Sequence, residues 1–219
     1  MLAFLGGTGP EGKGLALRLA LAGENVVIGS RDAQRAGAAA EELAAIIQDS
    51  AGHGSIDGAD NVDAAQRSDA AFLTVPYEAQ RPMLEQLGAP LSGKVVVNVI
   101  APMRFERGKG AIAVPVDAGS AAEEAQSLLP DSHVVAAFQN VSAEELQEPH
   151  HNMVGDVVIC ADDPDAKSLV MTLTQKIPDL RPVDGGGLLN AKYVEQITPL
   201  LVNINRIYKA HSGIRITGV

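Results

Sequence analysis

A run of closely spaced glycines near the start of the chain could do chemistry through its backbone. It matches the pattern G-x-G-x-x-G, directly after a short apolar run and directly before a segment of helical period, with Gly7, Thr8, Gly9, Pro10, Glu11 and Gly12. Glycines there permit a tight turn and a close approach by a ligand, while the following helix offers free N–H groups and the positive end of its dipole to a pyrophosphate. In this context the motif predicts a dinucleotide-binding site.

The same residues nearly match a second phosphate-binding pattern. Gly7 to Lys13 fits G-x-x-x-x-G-K, but the next residue is Gly14. A P-loop requires Ser or Thr at that place to hold magnesium. The missing hydroxyl and the early Pro10 argue against an ATPase or GTPase.

The end of the second apolar run indicates which dinucleotide binds. NAD-specific proteins usually place a carboxylate here, whereas this chain has Ser30 and Arg31, with Arg35 one helical turn further on. A hydroxyl and two guanidinium groups suit a 2′-phosphate. Asp32 could accept from a ribose hydroxyl, but it also fits the N-cap of the next helix. The pattern therefore favours NADP(H) over NAD(H).

Positioning these residues requires alternating strands and helices. Short apolar runs alternate with segments of helical period, which predicts an α/β fold of the Rossmann type with a doubly wound, mostly parallel sheet. Candidate strands are 2–5, 25–29, 55–58, 69–75, 94–100, 133–138, 156–161 and 180–183. Helices are expected at 14–22 and 32–48, from about Asp163-Pro164, and at the end of the chain.

A glycine triplet at 185–187 divides the chain. Residues 1–184 are expected to form the NADP-binding domain with an extended sheet, and residues 185–219 a small C-terminal helical appendage. The appendage should contain a helix from about Leu188 to Lys209. Its apolar stripe is expected to comprise Leu189, Val194, Ile197, Leu201 and Ile204.

Composition narrows the function classes. A chain of 219 residues suits one generous domain, and a net charge of −10 argues against a nucleic-acid partner. Cys160, the single cysteine, is expected to be a buried, inert thiol. Helix capping accounts for the acidic cluster at 162–165, so no metal site is expected. Without a secretion signal or a membrane-spanning run, a cytoplasmic protein is expected.

Three segments of the chain resemble those of one known family. Residues 6–20, followed by Ile28–Arg31, look like its N-terminal signature. Residues 73–78 resemble its strand-to-loop segment beside the ribose and nicotinamide, and residues 190–204 resemble its last helix. The family is that of the F420-dependent NADP reductases, which pass hydride between NADPH and the deazaflavin coenzyme F420. The resemblance covers nearly the whole length, and the last helix is more diagnostic than the glycine loop.

The resemblance implies an NADPH-dependent F420 reductase, with NADP(H) as cofactor and F420 as co-substrate. It places NADP contacts at Thr8 to Glu11, Ser30, Arg31 and Arg35, and along the nicotinamide path at Val75, Ala79, Ile100, Ala101 and Ala137. The deazaflavin is expected near Gln139, Asn140, Val141 and Ser212. Family members are expected to have a histidine where this chain has Gln139, although an amide can also hydrogen-bond a ring carbonyl. Gln139 could instead cap backbone groups at a strand end.

The implied chemistry needs no catalytic acid, base or nucleophile, because hydride passes directly between two stacked rings. The five histidines show no spacing typical of a triad or a metal site: His53, His133, His150, His151 and His211. Backbone N–H groups around Val141 or Ser212 are candidates for stabilising charge on the deazaflavin.

Two further expectations concern partners. F420 has an acidic tail, and two clusters offer cations, although either suits a solvated surface equally well: Arg104, Arg107 and Lys109, and Arg206, Lys209 and Arg215. A homodimer that uses the final helix is expected, because its apolar stripe exceeds what a small sheet can cover.

Three other functions stay open. The same nucleotide surface could serve an NADPH-dependent flavin or ferric reductase. A dehydrogenase of the β-hydroxyacid or pyrroline-carboxylate reductase type could use Lys192 as its general acid, although such enzymes have a larger helical domain after the sheet. A non-catalytic NADP sensor would bind the dinucleotide without turnover.

Overall fold

In the computed structural model, which describes all 219 residues, ten strands and eight helices follow one another along the chain. The strands are β1 Leu2–Leu5, β2 Val26–Ser30, β3 Ile56–Asp60, β4 Ala70–Leu73, β5 Val95–Asn98, β6 Met103–Glu106, β7 Gly110–Ala113, β8 His133–Ala136, β9 Gly155–Ala161 and β10 Leu180–Asp184. The helices are α1 Pro10–Leu21, α2 Ala33–Ile47, α3 Asn61–Arg67, α4 Tyr77–Leu91, α5 Ala121–Leu128, α6 Ala143–Leu146, α7 Pro164–Gln175 and α8 Ala191–Tyr208.

Eight strands form one sheet in the order β10-β9-β8-β5-β4-β1-β2-β3. The six strands from β3 to β8 in that order are mutually parallel, which is the strand order of a Rossmann domain. Strand β9 runs antiparallel to β8, and β10 runs parallel to β9. The prediction of a Rossmann-type, mostly parallel sheet is therefore confirmed.

The sequence missed one sheet and misplaced one helix start. Strands β6 and β7 form a separate antiparallel hairpin, whose four-residue strands are too short to give a periodic signal. Helix α1 begins at Pro10, four residues before the expected Gly14, because a proline fits the first helical turn. The expected Asp32 and Asp163 caps are both present, each accepting from backbone N–H groups of the following turn.

Apolar side chains cover both faces of the sheet. One buried cluster contains 30 residues and the other 23, as strands enclosed by helices on both sides require. At the centre of the larger cluster the rings of Phe4 and Phe72 stack with centroids 4.7 Å apart. Cys160 is buried, and burial raises the pKa of its thiol to about 11, which agrees with an inert cysteine.

Helix α8 packs one face on the rest of the chain and leaves another exposed. Val194 and Leu201 are buried, and the Glu195 carboxylate accepts from the N–H groups of Ala121 and Ala122 at the start of α5. The predicted apolar stripe is therefore wrong as a single face, because its member Leu189 is 61% exposed. No helix combines the length and apolar character that crossing a membrane requires.

Candidate active site

The glycine loop joins β1 to α1, and neither Gly7 nor Gly12 has room for a side chain. Gly7 N–H donates to the carbonyl oxygens of Phe4 and Gly29, at 3.0 and 2.9 Å. A Cβ on Gly12 would lie 2.5 Å from the Cα of Gly7. Helix α1 can approach the loop this closely only because both positions are glycine.

The N-terminus of α1 presents its N–H groups without a capping side chain. Side chains cap five other helices: Asp32, Asp60, Ser120, Ser142 and Asp163. At α1 the N-cap is Gly9, and a Cβ there would meet no atom within 4 Å. The first turn can therefore donate to an anion that approaches the backbone closely.

A buried amide holds the loop from the neighbouring helix. The side-chain oxygen of Asn61, at the start of α3, accepts from Gly6 N–H at 3.1 Å. The Thr74 hydroxyl similarly donates to the Leu5 carbonyl at 3.0 Å. Sequence analysis missed both residues, because each is about 55 or more positions away from the backbone that it supports.

The end of β2 presents the residues expected to select the 2′-phosphate. Ser30 is buried, and its hydroxyl oxygen accepts from Asp32 N–H at 3.3 Å. Asp32 caps α2, with its carboxylate 2.9 Å from Gln34 N. Arg31 and Arg35 are exposed. The carboxylate is thus engaged by its helix, while two guanidinium groups remain accessible to a phosphate.

A cavity of about 840 Å³ extends from the start of α1 to the last turn of α8. It lies at the carboxyl ends of β4, β5 and β8, where ligands bind in open α/β sheets. Ten predicted site residues line it: Gly9, Pro10, Glu11, Val75, Ile100, Ala101, Gln139, Asn140, Val141 and Ser212. The structure thus brings the predicted nicotinamide and deazaflavin residues together.

The other predicted residues lie outside this cavity: Gly7, Thr8, Gly12, Ser30, Arg31, Arg35, Ala79 and Ala137. Ser30 and Arg31 end β2, on the other side of β1, where the adenosine end of a dinucleotide would lie. Ala137 is fully buried in the larger core cluster, which argues against a direct cofactor contact by its side chain. The contact at Ala79 stays a prediction.

A strained turn follows β8 at the inner end of the cavity. Phe138 has φ of 71°, which is unusual for a residue with a side chain. Gln139 Nε2 donates to the Asn98 carbonyl at 2.9 Å, so the residue does bond to backbone at a strand end. Its Oε1 is buried with no partner, and the residue lines the cavity. Gln139 can therefore also offer an acceptor to a ligand.

Buried side chains connect this turn to α8. Asn140 Nδ2 donates to the Val194 carbonyl and the Thr198 hydroxyl, at 2.9 and 2.8 Å. The Thr198 hydroxyl in turn donates to the Gln139 carbonyl at 3.0 Å. Sequence analysis placed Asn140 at the ligand, but its amide nitrogen holds the final helix against the turn.

The residues after α8 fold back over the cavity. The N–H and hydroxyl of Ser212 both donate to the Asn205 side chain, at 2.7 and 2.6 Å. Val141 N–H donates to the Phe138 carbonyl at 3.1 Å. The N–H groups of Val141 and Ser212 are thus engaged within the chain, and the expectation that backbone N–H groups around these residues serve the deazaflavin stays a prediction for their neighbours.

One histidine lies in the cavity, which its spacing in the sequence did not reveal. His211 Nδ1 is 3.2 Å from the Ser142 hydroxyl oxygen, and its Nε2 is 3.5 Å from a Glu144 carboxylate oxygen. These contacts connect the C-terminal turn to the start of α6. The tandem pair His150 and His151 lies in a loop, as expected.

A buried arginine holds the α6 side of the cavity. Arg18 in α1 donates to the carbonyl oxygens of Leu146 and Glu145, at 3.0 and 2.8 Å. Its side chain therefore joins the nucleotide-binding helix to the segment that carries Ser142. Sequence analysis read this arginine only as part of the N-terminal signature.

Glu11, in the first turn of α1, has an unusual environment. Its Oε1 is buried without a hydrogen-bond partner, although the residue lines the cavity. Burial raises the pKa of the carboxyl to about 8. The side chain is therefore largely a neutral acid at pH 7.

Two of the six predicted cations, Arg206 and Lys209, lie at the cavity. The β6–β7 hairpin packs on α8, where the Asn203 side chain bonds to both backbone groups of Ala111. A Cβ on Gly110 would lie 2.6 Å from a guanidinium nitrogen of Arg206. Arg206 and Lys209 line the cavity itself, whereas Lys109 pairs with Glu106.

An uncapped helix at a glycine loop, two free arginines after β2 and a long cavity at the carboxyl edge define a dinucleotide-dependent oxidoreductase of the Rossmann class. Residues 1–102 match the family model described as NADP oxidoreductase, coenzyme F420-dependent. The F420-dependent NADP reductase of Methanothermobacter marburgensis is 43% identical over 100% of this chain and 98% of its own. That of Methanocaldococcus jannaschii is 38% identical over 100% of this chain and 98% of its own.

A crystal structure assigned as an F420-dependent NADP reductase from Arthrobacter sp. FB24 superposes with a TM-score of 0.82 over 99% of both chains, at 24% identity, and so supports the fold. The two relatives that match over the full length of the chain establish its family. This chain belongs to the F420-dependent NADP reductase family.

Proposed function

We propose that the protein transfers hydride between NADPH or NADP⁺ and coenzyme F420. The observation that carries the proposal is the single cavity that joins the uncapped start of α1 to the turn after β8 and the end of α8. Two planar rings brought together there would need only alignment and protection from water. Family membership does not favour the flavin or ferric reductase, the hydroxyacid-type dehydrogenase or the sensor.

The dinucleotide would extend across the carboxyl ends of β2, β1 and β4. Its 2′-phosphate would bind Ser30, Arg31 and Arg35, its pyrophosphate the first turn of α1, and its nicotinamide the region of Val75, Ile100 and Ala101. Charge-assisted bonds to the 2′-phosphate give a preference for NADPH over NADH of roughly 2–4 kcal/mol.

The deazaflavin would occupy the part of the cavity between the 138–142 turn and α8. The unpartnered Gln139 Oε1 can accept from a ring N–H, so this residue fits the ligand although a histidine was expected there. Arg206 and Lys209 offer positive charge for the acidic tail at the rim. A protein of net charge −10 needs such a local concentration of cations.

The two coenzymes supply the chemistry. The residues of the chain bind and orient the coenzymes and exclude water from the cavity. The 138–142 turn is held by hydrogen bonds to Asn98 and Thr198. Arg18 holds the neighbouring helix α6. The geometry of the turn is therefore set by the chain before a ligand binds. Catalysis is therefore positional, with no essential acid, base or nucleophile among the side chains.

Mixing the protein with NADPH and oxidised F420 tests the proposal. F420 absorbance should bleach at a rate proportional to protein concentration, and NADH should support a much lower rate. Free FMN and ferric citrate serve as competing acceptors. No bleaching of F420 despite tight NADPH binding would reject the proposed reaction.

We further propose a homodimer in the cytoplasm. The exposed face of α8 contains three large apolar side chains at spacings of seven residues, Tyr193, Leu200 and Ile207, and Leu189 in the short turn before the helix is also exposed. Such a face suits burial against a second copy. A dimer should dissociate in Leu200→Glu, measured by light scattering at micromolar concentration. A monomeric wild-type mass would end this proposal.

The division into residues 1–184 and an appendage of 185–219 also remains a proposal.

A further inference from the structure

Glu11 is expected to contact NADP, but its carboxyl proton has no part in the positional mechanism. Its Oε1 has no hydrogen-bond partner and its side chain borders the cavity. A buried polar atom of this kind costs stability unless a ligand or another role compensates for it. The first turn of a nucleotide-binding helix is also an unusual place for a carboxyl, because the pyrophosphate brings negative charge.

Glu11 lies in the same cavity as the residues proposed to hold the nicotinamide. Glu11 shares the cavity with Val75 at the end of β4 and Ile100 after β5, whereas Ser30 and Arg31 lie outside it beyond β1. The oxidised nicotinamide ring carries a positive charge, and the reduced ring is neutral. A carboxylate in this cavity would stabilise the oxidised ring selectively, since charges interact strongly away from water.

We propose that Glu11 sets the relative affinity of the protein for the two oxidation states of the dinucleotide, as a neutral acid beside NADPH and as a carboxylate beside NADP⁺. The inference rests on the proposed function. Titration of Glu11 would make the balance between forward and reverse hydride transfer depend on pH. NADP⁺ binding at neutral pH releases the Glu11 proton, and NADPH binding does not.

The surroundings of Glu11 leave its proton free to respond to the ligand. Burial alone raises the pKa of the carboxyl to about 8. The charged and titratable groups that share the cavity are Tyr77 and Glu78 of α4, Glu144 of α6, Arg206 of α8, and Lys209 and His211 of the C-terminal segment. None of them hydrogen-bonds to Glu11. On its own helix Lys13 pairs with Glu42, and Arg18 donates to backbone carbonyls.

The test is the ratio of Kd for NADP⁺ to Kd for NADPH, measured by titration calorimetry from pH 7.5 to 9.5. This range lies above the titration of the 2′-phosphate, whose second pKa is about 6. In the wild type the ratio should fall about threefold over this range, because NADPH leaves the pKa of Glu11 at about 8 and NADP⁺ lowers it by about one unit. In Glu11→Gln the ratio should not change with pH. Glu85→Gln, an exposed carboxyl on α4 with the same charge change, should behave as the wild type.

A second measurement needs no variant. At pH 7.5, NADP⁺ binding to the wild type should release protons, seen as a binding enthalpy that depends on the ionisation enthalpy of the buffer, and NADPH binding should release none. Equal proton release for both ligands, or a ratio that changes equally in Glu11→Gln, would overturn the inference. Failure of both nucleotides to bind would instead reject the proposed function.

Discussion

The two ends of the cavity are built from contacts of different range. At the dinucleotide end, the glycine loop and the turn after β2 use mainly backbone groups and neighbouring residues, as in the hydrogen bond from Gly7 N–H to Phe4, with Asn61 and Thr74 as distant supports. At the deazaflavin end, side chains reach across the sequence, as Asn140 does to Thr198, 58 positions away. The first end is specified by a local motif, and the second by tertiary packing.

This difference predicts that the two ends fail separately. A change in the glycine loop should remove dinucleotide binding, whereas a change between turn 138–142 and α8 should spare it and impair use of F420. For each variant below, both the affinity for NADPH and the kinetics with F420 therefore have to be measured.

The largest effect is expected for Gly12→Ala. Its Cβ would lie 2.5 Å from the Gly7 backbone, so α1 must move away from the loop. NADPH affinity should fall about a hundredfold because the first helical turn no longer meets the pyrophosphate correctly, and overpacking should cost about 1–3 kcal/mol of stability. Gly88→Ala on α4, where a Cβ meets nothing within 4 Å, is the matched control. It should keep full affinity and gain about 0.5–1 kcal/mol. Unchanged NADPH affinity in Gly12→Ala would show that the loop is not the binding site.

Asn140→Ala should produce the opposite pattern. Removing the bonds to Val194 and Thr198 loosens α8 from the turn and should cost about 1–3 kcal/mol of unfolding free energy. We expect kcat/KM for F420 to fall about tenfold to a hundredfold, as for a misplaced reactant. NADPH Kd, measured by fluorescence titration, should stay within about threefold, and Thr198→Ser should resemble the wild type because it keeps the hydroxyl. An equal loss of NADPH affinity and F420 use in Asn140→Ala would remove the distinction between the two ends.

Arg31→Ala should have an intermediate effect at the dinucleotide end alone. Losing one charge-assisted contact to the 2′-phosphate is worth about 1.5 kcal/mol, or roughly tenfold in NADPH affinity. NADH, which lacks that phosphate, serves as the internal control and should bind with little change. Equal affinities of the wild-type protein for NADPH and NADH would reject the assignment of the β2 end.

His211→Ala should have the smallest effect, although this residue lies in the cavity. Its contacts to Ser142 and Glu144 support the C-terminal turn, so we expect kcat to fall by less than about tenfold, below the 10²–10⁴ typical of a lost general acid or base. Replacing any of the other four histidines with alanine should also lower kcat by less than about tenfold. A thousandfold loss with folding and NADPH affinity intact would make the reaction depend on acid–base catalysis and favour the dehydrogenase alternative.

The sequence predicted the parts of the molecule that depend on local patterns. The sheet strands follow from apolar runs, the α2 cap from Asp32, and the nucleotide loop from its glycines and following helix. It also predicted that Gln139 would bond to backbone or ligand, and the structure shows the backbone bond.

What the sequence could not predict depends on chain segments that meet only after folding. The Arg18 bonds to α6 and the approach of His211 to Ser142 both join distant positions. The bonds of the Val141 and Ser212 N–H groups to Phe138 and Asn205 could not be predicted either, because they are set by the geometry of the turns.

Direct hydride transfer within one cavity is the central claim, and isotope transfer tests it most directly. NADPH deuterated at C4 on either face is oxidised by the protein with F420 in ordinary water, and the reduced coenzyme is analysed by mass and NMR. One of the two stereoisomers should deliver its deuterium to C5 of the deazaflavin without loss to solvent. Reduced F420 that carries only hydrogen from water, with both stereoisomers, would contradict a direct transfer between stacked rings.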